Sequence, residues 1–339
     1  MIQEQVDLTA LNTFQIHAVA RYFARIKTNE ELQEIRSSAI FRNNPVLILG
    51  GGSNILFTRD FPGLVVHSKL KGITIGPEVS PDEVLITAAA GENWHELVSH
   101  CVNKNLGGLE NLALIPGYCG AAPIQNIGAY GKELSQVLEW VDAIDLESGE
   151  ERRFMNAECD FGYRDSLFKR PEGKKFFISS ITLRVSTKNH FIDAGYSALR
   201  EELKHLAVSD LSIKDIFNAV IQVRTRKLPD TKLTGNAGSF FKNPVVGKSE
   251  FEILQHSHPA IPFYSIDNQH FKIPAAWFIE QAGWKGKHSG AAGCHSRQPL
   301  VMINLGGASG NEILAFSETI RQDVESKFGV QLEREVNVC

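Results

Sequence analysis

An excess of one charge, paired cysteines and long apolar runs are all missing from this sequence. Thirty-five basic side chains stand against 39 acidic ones, a net charge of −4. A nucleic-acid binder would carry a basic patch and a high isoelectric point, so no nucleic-acid partner is expected. Local basic pockets for a small anion stay open. The five cysteines, Cys101, Cys119, Cys159, Cys294 and Cys339, are odd in number and widely spaced, with no CxxC pair. That excludes a disulfide framework and a zinc site of that type. No apolar run is long enough to span a bilayer. The N-terminus, Met1 to Phe14, has neither the basic nor the apolar region of a signal peptide. The expectation is a cytoplasmic protein with reduced thiols and no membrane partner, working as a monomer.

Three catalytic signatures are missing too. Gly50-Gly-Gly-Ser-Asn54 comes after an apolar strand pattern, but Ile55 stands where a dinucleotide fingerprint needs glycine. Ile55-Leu-Phe57 reads as strand rather than helix, which excludes a Rossmann turn. Gly247-Lys-Ser249 looks like the end of a P-loop, yet position 242 is Lys242 where that loop needs glycine. No GxSxG elbow supports a hydrolase triad. The eleven histidines are scattered, His288 and His295 included, with no metal-ligand spacing, so no metal is expected.

What is present is glycine in clusters, on a mixed framework. At 339 residues the chain predicts about two domains. Strand patterns run over 45–49, 64–66, 84–88, 138–146 and 176–185. A helix is predicted from Asn93, with Asn93 and Glu96 in capping-box positions and Trp94, Leu97, Val98 and Cys101 on one face, and Gly107-Gly108 ending it. A second runs from Ser212 to Arg226, where Ile213, Ile216, Val220 and Val223 recur at helical spacing. A third carries Ile313, Phe316, Ile320, Val324 and Phe328, with Asn311 as its cap and Gly329 at its end. The tail 332–338 alternates and predicts a strand added to an existing sheet. The class is α+β, since strands and helices do not alternate regularly. Turn chemistry at Lys227–Asp230 suggests a boundary near 225–230.

Two glycine-rich segments carry the chemistry. Gly235-Asn-Ala-Gly-Ser-Phe-Phe-Lys-Asn-Pro244 joins permissive backbone to one hydroxyl, Ser239, with Lys242 and Asn243 close by. It reads either as a plain hairpin or as a placed proton donor. Ile115–Gly131 packs Pro116-Gly117, Gly120-Ala121-Ala122, Pro123, Gly128-Ala129 and Gly131 among apolar residues, almost without charge. It predicts buried irregular backbone whose polar groups need partners. A large flat cofactor would supply them; a tightly packed structural loop is the other reading. The Gly50–Asn54 turn reads as a phosphate nest or a plain hairpin. Arg164, within Cys-Asp-Phe-Gly-Tyr-Arg-Asp-Ser166, reads as a carboxylate fork or as a salt bridge to Asp160 or Asp165.

Together these segments resemble the UDP-N-acetylenolpyruvoylglucosamine reductase family, type I. The likeness runs from Leu11-Asn-Thr-Phe14 through Leu49–Asn54, 115–131, Phe161–Ser166 and Arg226–Asp230 to 235–244 and Leu332–Val336. It implies an FAD-binding region over 1–225 of the vanillyl-alcohol-oxidase type, with 322–339 packing back on it, and a smaller α+β substrate domain over 226–321. It implies that Gly50, Gly51, Gly52, Ser53 and Asn54, with Pro116, Gly117, Gly120, Ala121, Gln125, Asn126, Gly128 and Ala129, hold FAD. NADPH would be the co-substrate and a UDP-sugar the substrate. By the same likeness Ser239, Arg164 and Glu335 are catalytic. Tyr163, Tyr196, Lys227, Asn243, Tyr264 and Lys285 contact substrate or NADPH. Lys242 is left outside the site. Tyr118-Cys119 departs from the smaller or β-branched residues common there, which implies altered FAD packing.

The residue types suit that reaction. Hydride addition at C3 of an enolpyruvyl group leaves carbanion character at C2, spread into the carboxylate, and a cationic fork stabilises it as it forms. A hydroxyl then delivers the proton, a step worth about 10²–10⁴-fold. Another flavoenzyme of the same fold would have no reason to keep Ser239, Arg164 and Glu335 together. A non-catalytic sugar-nucleotide binder would not need the flavin segments.

Overall fold

The structure, a computed structural model, describes residues 1–207 and 210–339. The chain divides into two compact units. The first comprises Met1–Val6, Ala20–Gly52 and Pro62–Arg226; the second comprises Asp7–Val19, Ser53–Phe61 and Lys227–Cys339. Compactness sets these limits; which residues serve cofactor and which serve substrate is a separate question of ligand binding.

In the first unit the strand Val46–Leu49 lies parallel to Phe61–Ser68, with Leu49 opposite His67. A second sheet has five antiparallel strands in the order Glu151–Met155, Leu138–Asp145, Phe176–Ser186, Glu83–Ala89, Ile73–Ser80. Its inner face packs on the helices Trp94–Asn103 and Ile213–Lys227. Both follow from the apolar spacing read above: Trp94, Leu97, Val98 and Cys101 are buried, as are Ile213, Ile216, Val220 and Val223. Asn93 caps the first of these helices by accepting the Glu96 N–H at 3.1 Å. The indole of Trp94 donates to the Leu112 carbonyl at 2.9 Å, so a large apolar body is buried with its one polar atom satisfied.

In the second unit the strands Gly235–Ser239, Val301–Asn304, Ala292–Cys294 and His288–Ser289 pair in that order. The helix Gly310–Phe328 closes on Gly329, at φ 70°. Its cap is Ser309 rather than the expected Asn311. Ser309 and Glu312 form a full capping box, the reciprocal pairing that Asn311 cannot make from inside the first turn. The expected tail strand is shorter than 332–338. Arg334 makes a single bridge to Phe241, and only Asn337–Val338 forms a ladder, parallel to Ile55–Leu56.

The N-terminal part of this unit is tied in by polar contacts. Buried Asn12 donates to the Leu8 and Ile16 carbonyls, both at 2.9 Å, and accepts the Ile16 N–H at 3.0 Å. The Phe14 carbonyl accepts from Asn304 Nδ2 at 3.0 Å. A Cβ on Gly235 would lie 2.2 Å from that same carbonyl oxygen, so this glycine is fixed by close approach. The Leu11–Phe14 motif is therefore a structural clasp. Among the described residues no helix is long and apolar enough to cross a membrane. Burial pushes the thiols of Cys101, Cys159 and Cys294 up to about 12, which leaves them inert as nucleophiles.

Candidate active site

The turn Gly50–Gly52 leaves the end of a parallel strand, and Gly52 sits at φ 63°. It packs directly on the second glycine-rich segment. A Cβ on Gly51 would stand 2.9 Å from the Gly117 Cα, and one on Gly120 2.6 Å from the Ala90 Cβ. Two stretches of bare backbone thus touch, and only glycine permits it.

The 115–131 segment differs from expectation in two respects. It is half-buried rather than buried, with Pro116 and Gly131 exposed. Much of its backbone is also satisfied within the protein. Cys119 N–H donates to Glu92, Gly120 N–H to Ala90, Ala122 N–H to Cys119 and Ile127 N–H to Ala122. Short turns meet the hydrogen-bonding demand that a buried irregular chain would pass to a ligand. The side chain of Asn126 is committed as well, donating to Glu133 at 3.0 Å and Gly162 at 3.1 Å and accepting from Ser135 N–H at 3.0 Å.

Arg164 takes neither of the aspartates next to it in sequence. Asp160 and Asp165 both pair with Arg170. Arg164, at φ 54°, instead donates to the Gly128 carbonyl at 2.7 Å and the Asn126 carbonyl at 3.4 Å, with Glu133 3.8 Å away. The guanidinium is thereby held against the glycine-rich segment. Tyr163 lies under it, 5.2 Å from guanidinium carbon to ring centroid. Tyr196 reaches the same segment and meets Tyr130 edge-on at 5.3 Å. Buried Asn111 secures that approach by donating to both the Tyr130 and Asp193 carbonyls.

Arg224, Tyr130 and Asn111 escaped the sequence reading. Arg224 donates to the Leu114 carbonyl at 3.2 Å and bonds the Tyr130 phenol. Burial pulls its pKa down and pushes that of Tyr130 up. One signal was available: Arg224 lies four residues after Val220, a cation in line with the buried stripe of its helix. Leu114, Asn126, Tyr130 and Arg164 all carry φ between 44° and 57°. Left-handed backbone at non-glycine residues is costly and tends to gather at functional sites.

The second unit brings together Ser239, Glu335 and Asn54. Ser239 ends a strand whose pairing slips between Asn236 and Ser239, so that two residues, Ala237 and Gly238, oppose one. Gly238 takes φ 71°, and its N–H is held by the Asn236 side chain at 3.0 Å. The extra residue shifts the register, so that Ser239, paired with Val301, presents its side chain to the face opposite the one an unbroken ladder would give it. The next residue, Phe240, accepts the Glu335 N–H on its carbonyl at 2.9 Å, and Asn54 donates to the Glu335 carbonyl at 3.2 Å. Asn243 caps the helix Ala275–Gln281 by accepting the Ala275 N–H at 2.9 Å. Lys242 pairs with Glu333 at 2.6 Å, which gives it a structural task beside the Glu335 strand. Tyr264 is exposed on a short strand, and Lys285 pairs at the surface with Glu280 at 2.7 Å. Lys227 ends its helix at the first position of this unit.

The Gly50–Gly52 turn fits a flavin dinucleotide on one structural ground. It presents backbone without side chains, half-buried at Gly50 and Gly51, next to a glycine-rich segment that is likewise half-buried. Such a turn suits a diphosphate.

Comparison with known proteins agrees. Residues 20–154 match the family model of an FAD binding domain, and residues 229–339 match that of the UDP-N-acetylenolpyruvoylglucosamine reductase C-terminal domain. UDP-N-acetylenolpyruvoylglucosamine reductase of Flavobacterium johnsoniae is 44% identical over 337 residues, 99% of each chain. That of Amoebophilus asiaticus is 43% identical over the same length. The crystal structure of the reductase from Thermus caldophilus shares the fold, with a TM-score of 0.68 at 23% identity over 100% of this chain and 99% of that one. By this identity along its whole length, the chain belongs to the UDP-N-acetylenolpyruvoylglucosamine reductase family and is an FAD-dependent oxidoreductase.

Proposed function

We propose that the chain uses NADPH to reduce UDP-N-acetylenolpyruvoylglucosamine to UDP-N-acetylmuramate, a peptidoglycan precursor, as a cytoplasmic monomer. The Gly50–Gly52 turn and the 115–131 segment would hold FAD, which would supply the hydride chemistry linking NADPH to C3 of the enolpyruvyl group through its N5. In this reading residues 1–225 with 322–339 serve the cofactor and 226–321 serve the substrate. Arg164 takes the substrate carboxylate and stabilises the charge that develops on it. Two backbone carbonyls and Glu133 hold the guanidinium, so it arrives already oriented. Ser239 gives its proton to C2. Glu335 works beside it, bonding to substrate or orienting its partners. Hydride at C3 and proton at C2 together saturate the double bond, and the substrate's other bonds are untouched.

Lys227, Asn243, Tyr264 and Lys285, with Tyr163 and Tyr196, bind the nucleotide ends of substrate and NADPH. The exposed Lys285–Glu280 pair contributes only about 0–1 kcal/mol, so a phosphate can displace Glu280 from it.

The observation that supports the reading is the bulge at Ala237-Gly238, which shifts the register and so resets the face to which Ser239 points, while Glu335 is anchored one residue further on. Under anaerobic conditions NADPH should bleach the flavin absorbance, and the enolpyruvyl substrate should restore it. In Ser239→Ala bleaching should be unchanged and restoration about 10²–10⁴-fold slower. Restoration near the wild-type rate in that variant removes Ser239 as the proton donor.

A further inference from the structure

Beneath the Gly50–Gly52 turn lies a cluster assembled from distant parts of the first unit. His67 stands opposite Leu49, the residue just before the turn, and is 2% exposed. Its ring donates to the Gly50 carbonyl while Nδ1 has no partner. Its face lies parallel to that of Tyr118, with 6.2 Å between centroids and 9° between planes. Tyr118 in turn lies against the turn itself. A Cβ on Gly51 would be 3.4 Å from the Tyr118 ring, and one on Gly50 3.7 Å from the Tyr118 Cβ. Lys69, two residues beyond His67, places its ammonium on the Tyr118 phenol oxygen.

The charges in this cluster are one-sided. Burial, then the nearby Lys69, then Arg25, push the His67 pKa down to about 4, so the ring is neutral at ordinary pH. Lys69 makes no ion pair with any carboxylate among the described residues. A half-buried ammonium without a counter-charge therefore stands one tyrosine ring away from bare backbone suited to a diphosphate.

We propose that Lys69, held by Tyr118, is a ligand to the diphosphate of FAD at the Gly50–Gly52 turn, and that His67 and Tyr118 are positioning residues that preform this turn. The inference rests on the reading of that turn as part of the FAD site. Lys69 supplies the charge that the uncharged turn lacks. Tyr118 fixes the ammonium in place and fills the floor beneath Gly50 and Gly51. His67 holds the Gly50 carbonyl inward.

The test is flavin affinity of the full chain, stripped of flavin and titrated at increasing NaCl with FAD and, separately, with riboflavin, which lacks phosphate. Lys69→Gln should weaken FAD binding about tenfold or more at low salt, flatten its salt dependence and leave riboflavin binding unchanged. Tyr118→Phe keeps the ring but releases the ammonium, and should give a smaller loss of the same kind. Equal loss for FAD and riboflavin, or FAD binding by Lys69→Gln with wild-type affinity and salt slope, overturns the proposal. Failure of the wild-type chain to bind FAD at any salt would instead overturn the FAD reading.

Discussion

Two glycine-rich regions, 115–131 in one unit and 235–244 in the other, use the same residue for different ends. In the first, glycine removes side chains so that backbones can touch, as at Gly51 against Gly117 and Gly120 against Ala90. In the second, Gly235 does the same against Phe14, but Gly238 has nothing within 4 Å of its would-be Cβ. Its freedom lies in φ 71°, which makes the bulge beside Ser239. One kind of glycine sets packing and the other sets the direction of a side chain. The two should fail differently.

The sharpest failure should come at Gly235. In Gly235→Ala the new methyl would meet a backbone oxygen at 2.2 Å, which cannot swing aside. A stability loss of about 3 kcal/mol or more in urea unfolding is expected. At Gly120 the neighbour is the Ala90 methyl at 2.6 Å, and Gly120→Ala should cost about 1–3 kcal/mol and loosen bound flavin with it. Gly238→Ala meets no atom, so only left-handed strain of about 1–2 kcal/mol remains. Its mark should be kinetic: slower reoxidation of the flavin by substrate, with bleaching by NADPH intact. If Gly238→Ala loses stability without slowing that half-reaction, the distinction between the two kinds of glycine collapses.

A separate effect, outside the glycines, concerns pH. His67 titrates at about 4 when folded and near 6.5 when unfolded. Between those values the unfolded chain binds the extra proton, so stability falls as pH drops from about 6.5 to about 4. The positive groups facing the ring, Lys69 and Arg25, reinforce this. His67→Gln should show a shallower loss of stability across that window in urea melts at pH 7 and pH 4.5. An unchanged slope would mean that His67 is not charged on unfolding there.

Much of this was legible in the sequence because it is local. Helices at 94–103, 213–227 and 310–328 follow from apolar spacing, and the Gly329 stop from its position after the last periodic residue. The FAD-binding α+β class followed from the glycine segments in their family order. Competition between neighbours was not legible. Nothing in Asp160–Arg170 says that Arg170 takes both aspartates and leaves Arg164 to the Gly128 carbonyl. Nor does spacing say that Ser309, not Asn311, meets Glu312. Still less visible was the cluster of His67, Lys69 and Tyr118, since its partners meet only after strand pairing has set their register.

The clasp between Phe14 and Asn304 has a consequence for synthesis. These residues are 290 positions apart. At about 5–20 residues per second, a ribosome makes that interval in about 15–60 s. Throughout that time Leu8, Phe14 and Ile16, all fully buried at the end, have no strand to rest on. The same holds for Phe57, whose carbonyl would collide with any side chain at Gly310. The half of the protein that carries Ser239 can therefore close only after synthesis has passed Asn304 and Gly310. Its early segments are the part of the nascent chain for which a chaperone has most to do, and the matched region 229–339 expressed alone would be left without them.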